Sequence, residues 1–316
     1  RGSGRCAQCR SNALDVMSFK VVGIGEVLWD VLPSGPQLGG APGNFAYHAR
    51  QLGAKAQVIT RVGNDDFGQR AIRRFEEMGI DGGTVQVDSH LPTGTARVVL
   101  GNDGTPQFNI VDGVAWDFLA FTDEALKAVQ NANAVCFGTL AQRTHAAGAV
   151  IRQLVEVVPA TALRVFDVNL REGHYDWATI EQSLRGANVL KMNDQELAVL
   201  SPRLQLSGNV YEMISQLTKR FDLKLVAMTR AERGSVLYQD GSWSELSGRK
   251  MRVTDTIGAG DAFTAALTMG LLHQFDLDDI HRIAADVANF VCCQPGATPA
   301  LPAHLRNAFI SNSMSV

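Results

Sequence analysis

Short apolar runs alternate along this chain with segments whose apolar residues have helical spacing. The run 19–28 is predicted to form one buried strand, and the stretch 43–53 a helix that stops at a glycine. A strand at 56–60 and a helix at 66–79 follow. Because strand–helix units of roughly 30 residues repeat in this way, we expect a three-layer α/β/α fold with a mostly parallel central sheet.

The segment 94–111 breaks this rhythm. Apolar and polar residues alternate along it, and it carries the turn sequence "NDG" at 102–104, which is typical of a β-hairpin. We expect a small antiparallel sheet that stands apart from the main one. A second hairpin is predicted at 235–246, and a long helix is predicted to begin near Gly258.

The first 16 residues are polar and rich in small residues, and they precede Met17. We interpret 1–16 as a tag or a leader and 17–316 as a single domain. Cys6 and Cys9 form a C-x-x-C pair in this leader, but no second pair at metal-binding spacing accompanies them.

Composition limits the classes of partner. The formal net charge of −3 gives no basic bias toward nucleic acid or anionic lipid, and no run approaches the ~18 apolar residues that a membrane span needs. Five cysteines, two of them adjacent at Cys292 and Cys293, do not resemble a disulfide framework. We therefore expect a cytoplasmic protein that binds neither nucleic acid nor a membrane.

The stretch "DTIGAGDAF" at 255–263 holds two acids, and the second follows a glycine turn at the start of an apolar run. The free N–H groups of a helix N-terminus bind anions, and glycine lets a phosphate approach the backbone closely. Asp261 would then serve as a base for a hydroxyl group, or it would simply cap the helix. No P-loop motif is present, and "GIGEVL" lacks the third glycine of a dinucleotide site.

Two motifs in order carry a family resemblance: "GGAPGN" at 39–44 and "DTIGAGD" at 255–261. With them, the chain from Phe19 to Leu305 resembles the ribokinase-like (PfkB-type) carbohydrate kinases. Four weaker elements agree, namely "VGNDDFG" (62–68), "DVNLR" (167–171), "KMNDQE" (191–196) and "TRAERGS" (229–235). The last departs from the family pattern, because Ala231 stands where a glycine is usual.

The resemblance implies roles for the phosphate side of the site. Asp261 would be the catalytic base, and the N–H groups of Gly258, Ala259 and Gly260 would form an anion hole. Contacts to ATP would come from Lys191, Asn193, Thr229, Gly234 and Gly260. Asn193 and Glu196 would organise Mg²⁺ through water, although a capped helix start also explains this pair, and an ordinary solvated lysine also explains Lys191.

The resemblance also implies a sugar site and a cation site. Its sugar contacts would be Asp30, Gly39, Gly40, Asn44, Arg97 and Arg171. A turn acid remains the other interpretation of Asp30, and solvent-facing side chains the other interpretation of the two arginines. Asp255 corresponds to the acid associated with a monovalent cation such as K⁺, but Ala300 replaces a frequent serine ligand.

Segments near 30–40 and 94–113 would form a β lid over the sugar, and pairing of two lids would make a homodimer. The stretch around "GGAPGN", with "AWD" at 115–117, is most like fructokinase members and implies ATP-dependent phosphorylation of fructose. A 2-keto-3-deoxygluconate kinase and a nucleoside kinase remain open within the family. A sugar-binding regulator on the same fold is the alternative from outside enzymes.

Overall fold

A computed structural model describes residues 18–32, 35–100 and 106–311. Nine strands form the main sheet in the order β13-β12-β11-β10-β9-β8-β1-β4-β5, and four form a second sheet in the order β3-β2-β6-β7. The strands are β1 (Lys20–Ile24), β2 (Leu28–Leu32), β3 (Gly35–Gly39), β4 (Lys55–Gly63), β5 (Val85–Asp88), β6 (Gly94–Leu100), β7 (Pro106–Ile110), β8 (Ala134–Gly138), β9 (Leu163–Asp167), β10 (Val189–Asn193), β11 (Leu225–Thr229), β12 (Ser235–Gln239) and β13 (Ser242–Leu246).

Helices cover both faces of the main sheet. They are α1 (Ala41–Gln51), α2 (Asp66–Glu77), α3 (Asp123–Gln130), α4 (His145–Glu156), α5 (Trp177–Gly186), α6 (Asp194–Arg203), α7 (Val210–Phe221), α8 (Ala259–Leu272), α9 (Leu277–Cys292), α10 (Ala303–Arg306) and α11 (Ala308–Ser311). Short 3₁₀ turns occur at Ala115–Phe118, Leu140–Gln142 and Ala231–Arg233. Among these described helices, none is both long and apolar enough to cross a bilayer.

The pairing of the main sheet is parallel from β5 to β11, and only the β11–β12 and β12–β13 pairs are antiparallel. Neighbouring residues of β1 illustrate why its sequence is continuously apolar: Val21 packs with α1, α8 and α9, whereas Val22 packs with the helices of the opposite face. A strand buried on both faces needs apolar residues at every position. The predicted three-layer fold is confirmed.

The prediction of one strand over 19–28 is wrong. Its first half is β1, and the chain turns at Gly25, where φ is 146°. A Cβ at Gly25 would lie 2.9 Å from the side chains of both Ala141 and Pro42, so only glycine fits this turn. Leu28 then begins β2, which belongs to the second sheet.

Both predicted hairpins are present: β6 pairs antiparallel with β7, and β12 with β13. The turn predicted at 102–104 and the leader 1–16 lie outside the described residues. The second sheet is not wholly antiparallel, because its central strands β2 and β6 run in the same direction. Strand β2 follows β1 in the chain, and β6 follows β5. Because β1 and β5 run in the same direction in the main sheet, the two strands that continue from their carboxyl ends also share a direction.

Candidate active site

Helix α8 begins where the sequence predicts it. Gly258 is its N-cap, in the left-handed conformation with φ 76°, and a Cβ there would lie 2.6 Å from the carbonyl oxygen of Ala297. Of the three expected anion-hole donors, Ala259 donates its N–H to Thr256 at 3.3 Å, which makes it less available than its neighbours. The next residue, Gly260, faces Lys191: a Cβ at Gly260 would lie 3.1 Å from the Lys191 Nζ atom.

Asp261 lies in the first turn of α8 and accepts a hydrogen bond of 2.8 Å from Asn44 Nδ2. The two residues are 217 positions apart, and the packing of α1 on α8 brings them together. Asp261 is half-buried as a residue, but protein closely surrounds its carboxyl group, and this desolvation raises the pKa of Asp261 to about 6. Asp167 also raises it, while Asn44 and Lys191 oppose the rise.

Lys191 and Asp167 form a buried ion pair at 3.0 Å beside this helix start. They are neighbours in register on β10 and β9. The second Asp167 oxygen accepts the Thr264 hydroxyl at 2.9 Å. Burial alone would lower the pKa of Lys191, but Asp167 and Glu196 outweigh it and the net shift is upward. Lys191 is therefore a fixed buried cation, and its interpretation as a solvated surface lysine is wrong.

Asn193 and Glu196 form a reciprocal capping box at the start of α6. The Asn193 side chain accepts from the Glu196 N–H at 2.8 Å, and Glu196 Oε2 accepts from the Asn193 N–H at 2.7 Å. Glu196 Oε1 accepts the N–H of Leu170 at 2.9 Å. Glu196 is buried, and burial raises its pKa although Lys191 opposes the shift. The capping interpretation of this pair is confirmed, but its acidic residue is not solvated.

Thr229 ends β11 and is in register with Asn193 on β10, so both lie at the carboxyl edge of the main sheet. Gly234 closes the turn that follows, with φ 93°, and a Cβ there would collide with the backbone of β13. Ala231, the departure from the family pattern, has φ 49°, a conformation that glycine adopts with less strain.

The glycine turn before α1 lies against two acids. A Cβ at Gly39 would lie 2.8 Å from Asp30 Oδ2, and a Cβ at Gly40 would lie 2.5 Å from the backbone oxygen of Glu26. The carboxylate of Glu26 accepts the N–H of Ala41 at 3.3 Å, and burial raises the pKa of Glu26 to about 7. Burial also raises the pKa of Asp30.

The two predicted arginines differ in placement. Arg171 is exposed, but its charge lowers the pKa of Asp30, Glu26 and Asp261, so it lies within electrostatic reach of all three. Arg97 is also exposed, in register with Val31 of β2. Successive side chains of a strand point to opposite faces, so Arg97 lies on the face opposite Asp30, and the structure does not bring them together.

Asp255 and His48 hold the loop after α9 against α8. Asp255 accepts N–H bonds from Ile257 at 3.0 Å and from Gly296 at 3.2 Å. His48, one turn beyond Asn44 on α1, bonds through Nε2 to the carbonyl oxygen of Ala297 at 2.9 Å. Desolvation lowers the pKa of His48 to about 4, so it is neutral and donates from Nε2.

Four residues at this site were not predicted: Asp167, Thr264, Glu26 and His48. Asp167 ends a predicted strand within the quoted "DVNLR", so its position at a carboxyl edge was the available signal. His48 follows Asn44 by four residues on one helix face, which was the signal in its case. Neither Glu26 nor Thr264 gives a comparable pattern.

Comparisons with known proteins show which proteins the chain is similar to. The family model described as pfkB family carbohydrate kinase matches residues 36–304. A fructokinase of Escherichia coli is 29% identical over 266 residues, which cover 81% of this chain and 85% of that protein. An uncharacterized sugar kinase of Pyrococcus horikoshii, solved in complex with ATP, has 26% identity and a TM-score of 0.76 over 88% of this chain and 94% of that one.

A 2-dehydro-3-deoxygluconokinase of Thermotoga maritima has the same fold, with a TM-score of 0.79 at 18% identity over 93% of this chain and 99% of that one. The family model contains both signature motifs, 39–44 and 255–261, in full, and it covers every described strand from β4 onward and helices α1 to α9. The chain therefore belongs to the PfkB family of carbohydrate kinases.

Proposed function

We propose that this protein transfers the γ-phosphoryl group of ATP to a hydroxyl group of a small neutral sugar, and that fructose is its best acceptor. The observation that carries the proposal is the hydrogen bond between Asn44 and Asp261 at the first turn of α8. It joins the two signature motifs and places a carboxylate between a glycine turn suited to hydroxyl groups and a helix start suited to phosphate.

In this proposal Asp261 accepts the proton of the attacking hydroxyl group. With a pKa of about 6, it is mostly ionised at neutral pH yet remains basic enough to take part in proton transfer. The helix start at Gly258–Gly260 and the Lys191 ammonium lie beside it and stabilise negative charge on the phosphoryl group. Asp167 holds Lys191 in place, so it acts as a positioning residue.

Magnesium fits the residues at the start of α6 only through water. Each Glu196 oxygen already accepts one backbone N–H bond and retains lone-pair capacity for a further donor. Within the described residues no group of three acids, histidines or cysteines surrounds a common point. Mg²⁺ commonly keeps several waters and binds one or two carboxylates plus substrate phosphates, and it would neutralise phosphate charge here. Thr229 and Gly234 would contact the nucleotide.

On the sugar side we assign Asp30, Gly39, Gly40, Asn44 and Arg171. A carboxylate accepts hydroxyl bonds well, and the two glycines let the turn pack closely against Asp30 and the Glu26 backbone. A sugar contact by Arg97 stays a prediction. Because Arg97 lies on the other face of β2 and β6, the sugar would have to be held there by another element or by a second subunit. The second sheet would then act as a lid, and pairing of two such sheets would give the homodimer.

Fructose is favoured because the site presents acids to neutral hydroxyl groups. A sugar acid such as 2-keto-3-deoxygluconate would meet Asp30 and Glu26; Arg171, whose charge acts on both acids, is the described cation that would compensate. The kinship with the E. coli fructokinase supports the same choice. The test is ATP consumption with fructose, ribose, 2-keto-3-deoxygluconate and adenosine, ranked by kcat/KM. A first rank for 2-keto-3-deoxygluconate would overturn the choice of fructose, and binding without turnover would favour a sugar-binding regulator.

Two finer expectations accompany this proposal. Asp255 and the carbonyl groups of the loop 292–300 would hold K⁺, and activation by KCl over NaCl is the measurement. A cytoplasmic location agrees with the free thiols of Cys136, Cys292 and Cys293, and fractionation of cells would test it.

A further inference from the structure

A buried arginine joins three segments next to the second sheet. Arg143 follows the 3₁₀ turn after β8, and its side chain is only 5% exposed. It makes a two-pronged contact with Asp117, from Nε to Oδ1 at 2.7 Å and from Nη2 to Oδ2 at 2.8 Å. Its guanidinium lies 4.0 Å from the centre of the Trp116 ring. These contacts fix the arginine to the body of the protein.

The other contacts of Arg143 are with two further segments, one directly after β7 and one on the loop after β9. Nη2 donates to the carbonyl oxygen of Val111 at 2.7 Å, and Nη1 lies 3.0 Å from the Asp112 carboxylate. Both residues directly follow β7, the last strand of the second sheet. Nη1 also lies 3.5 Å from Nδ1 of His174, which is three residues beyond Arg171 on the loop after β9.

Each of these two segments is connected to one side of the proposed sugar site. A row of residues in register crosses the second sheet from Ile110 on β7 through Ala96 on β6 to Asp30 on β2. Asp112 lies two residues beyond this row. On the other side of Arg143, His174 belongs to the loop that carries Arg171, whose charge already affects the pKa of Asp30.

The contact with Asp112 is not required to bury or neutralise Arg143. Asp117 already pairs with the guanidinium and is itself only 1% exposed, whereas the Asp112 side chain is 79% exposed. An ion pair with so exposed a partner contributes little to stability. Together with the contacts of Arg143 to Val111 and His174, and with the 3.8 Å approach of Asp112 to His174, it links the end of β7 to the loop of His174.

We propose that Arg143 is a positioning residue that sets the second sheet and the Arg171 loop at a fixed spacing across the sugar site. The inference rests on the proposed function for its effect on the sugar, but the junction itself can be measured without any substrate. Replacing Arg143 would leave Asp117 buried without its partner, so the variant of choice is Asp112→Asn.

Asp66→Asn is the matched control. Asp66 is 78% exposed and pairs with Arg70 at 3.5 Å on α2, so this variant also removes one exposed carboxylate from one arginine. For the sugar that the unchanged protein phosphorylates, we expect Asp112→Asn to raise KM by about three- to tenfold and to leave KM for ATP within about twofold. The control variant should change neither constant, and both variants should unfold at the temperature of the unchanged protein.

Amide hydrogen exchange without ligand provides the second readout. The Val111 N–H bonds to Thr95, and the His174 N–H bonds to Arg171. We expect Asp112→Asn to speed exchange at both amides and Asp66→Asn at neither. Unchanged exchange at the two amides, or equal increases of KM for sugar and ATP, would overturn the proposal. If the unchanged protein phosphorylates no sugar, the proposed function fails, and the exchange rates alone decide whether Arg143 fixes this junction.

Discussion

Asn44→Ala tests how the two signature motifs cooperate. The variant removes the 2.8 Å hydrogen bond that Asn44 Nδ2 donates to Asp261, and this bond is one of the interactions that hold down the pKa of Asp261. A hydrogen bond to a charged group is worth about 1.5–3 kcal/mol, and 1.36 kcal/mol corresponds to one pKa unit. Loss of the bond should therefore raise the pKa of Asp261 from about 6 to between about 7 and 8.

The assay is the pH profile of kcat/KM for the sugar, because kcat/KM reports the pKa values of the free enzyme. A base must be ionised, so kcat/KM of the unchanged protein should fall as the pH drops through about 6. In Asn44→Ala the acid limb should move upward, which costs about two- to tenfold in kcat/KM at pH 7 relative to its value near pH 9. A separate effect of Asn44 on sugar binding would lower kcat/KM by one factor at every pH and would not move the limb.

Asn131→Ala is the control, because Asn131 Nδ2 also donates a hydrogen bond, to Lys127 at the end of α3 and away from the site. It should leave the profile unchanged. An acid limb that stays near pH 6 in Asn44→Ala would refute the reasoning, since the bond to Asp261 would then not tune the base. A loss of kcat/KM by one factor at every pH, with no movement of the limb, would refute it as well.

Three further variants each replace one carboxyl group of the site. Asp261→Asn should lower kcat by at least about 10²-fold while ATP still binds, as calorimetry would show; retention of most of kcat would remove Asp261 from the mechanism. Asp30→Ala should raise KM for the sugar at least about tenfold and KM for ATP little, whereas equal effects in steady-state kinetics would indicate general damage. The pKa of Glu26 is raised to about 7, so the native state loses stability as the pH rises from about 4.5 to 7. In urea titrations across that range Glu26→Gln should show less of this loss, and an identical slope would contradict the burial argument.

The sequence predicted the start of α8 well because its signals are local. Gly258 adopts the left-handed conformation that glycine favours, and the apolar run after Asp261 is long enough to fix the element as a helix. The turn at Gly25 was missed because apolar residues continue on both sides of it. Ala141 and Pro42 leave no room for a side chain at this turn, and no local pattern reveals that they lie there.

The sequence predicted many of the residues of the site, but not the hydrogen bonds and ion pairs that they form. The family resemblance implied that Asn44 and Asp261 belong to one site, but it did not imply that they bond each other. Lys191 lies at the end of a predicted strand, where solvent exposure is the simple expectation; its burial depends on Asp167 of the neighbouring strand. Such pairs depend on strand order, which the sequence pattern leaves undetermined.

The long separation between Asn44 and Asp261 has a consequence for synthesis of the chain. A nascent chain that ends before Gly258 already contains the glycine turn of α1, Asp167 and Lys191, but it has neither the base nor the helix that binds phosphate. Contacts this distant in sequence also form slowly, because the loop between them must close first. During translation every described strand can therefore be complete while one face of the sheet still lacks α8 and α9, and catalytic competence arrives only with these last helices.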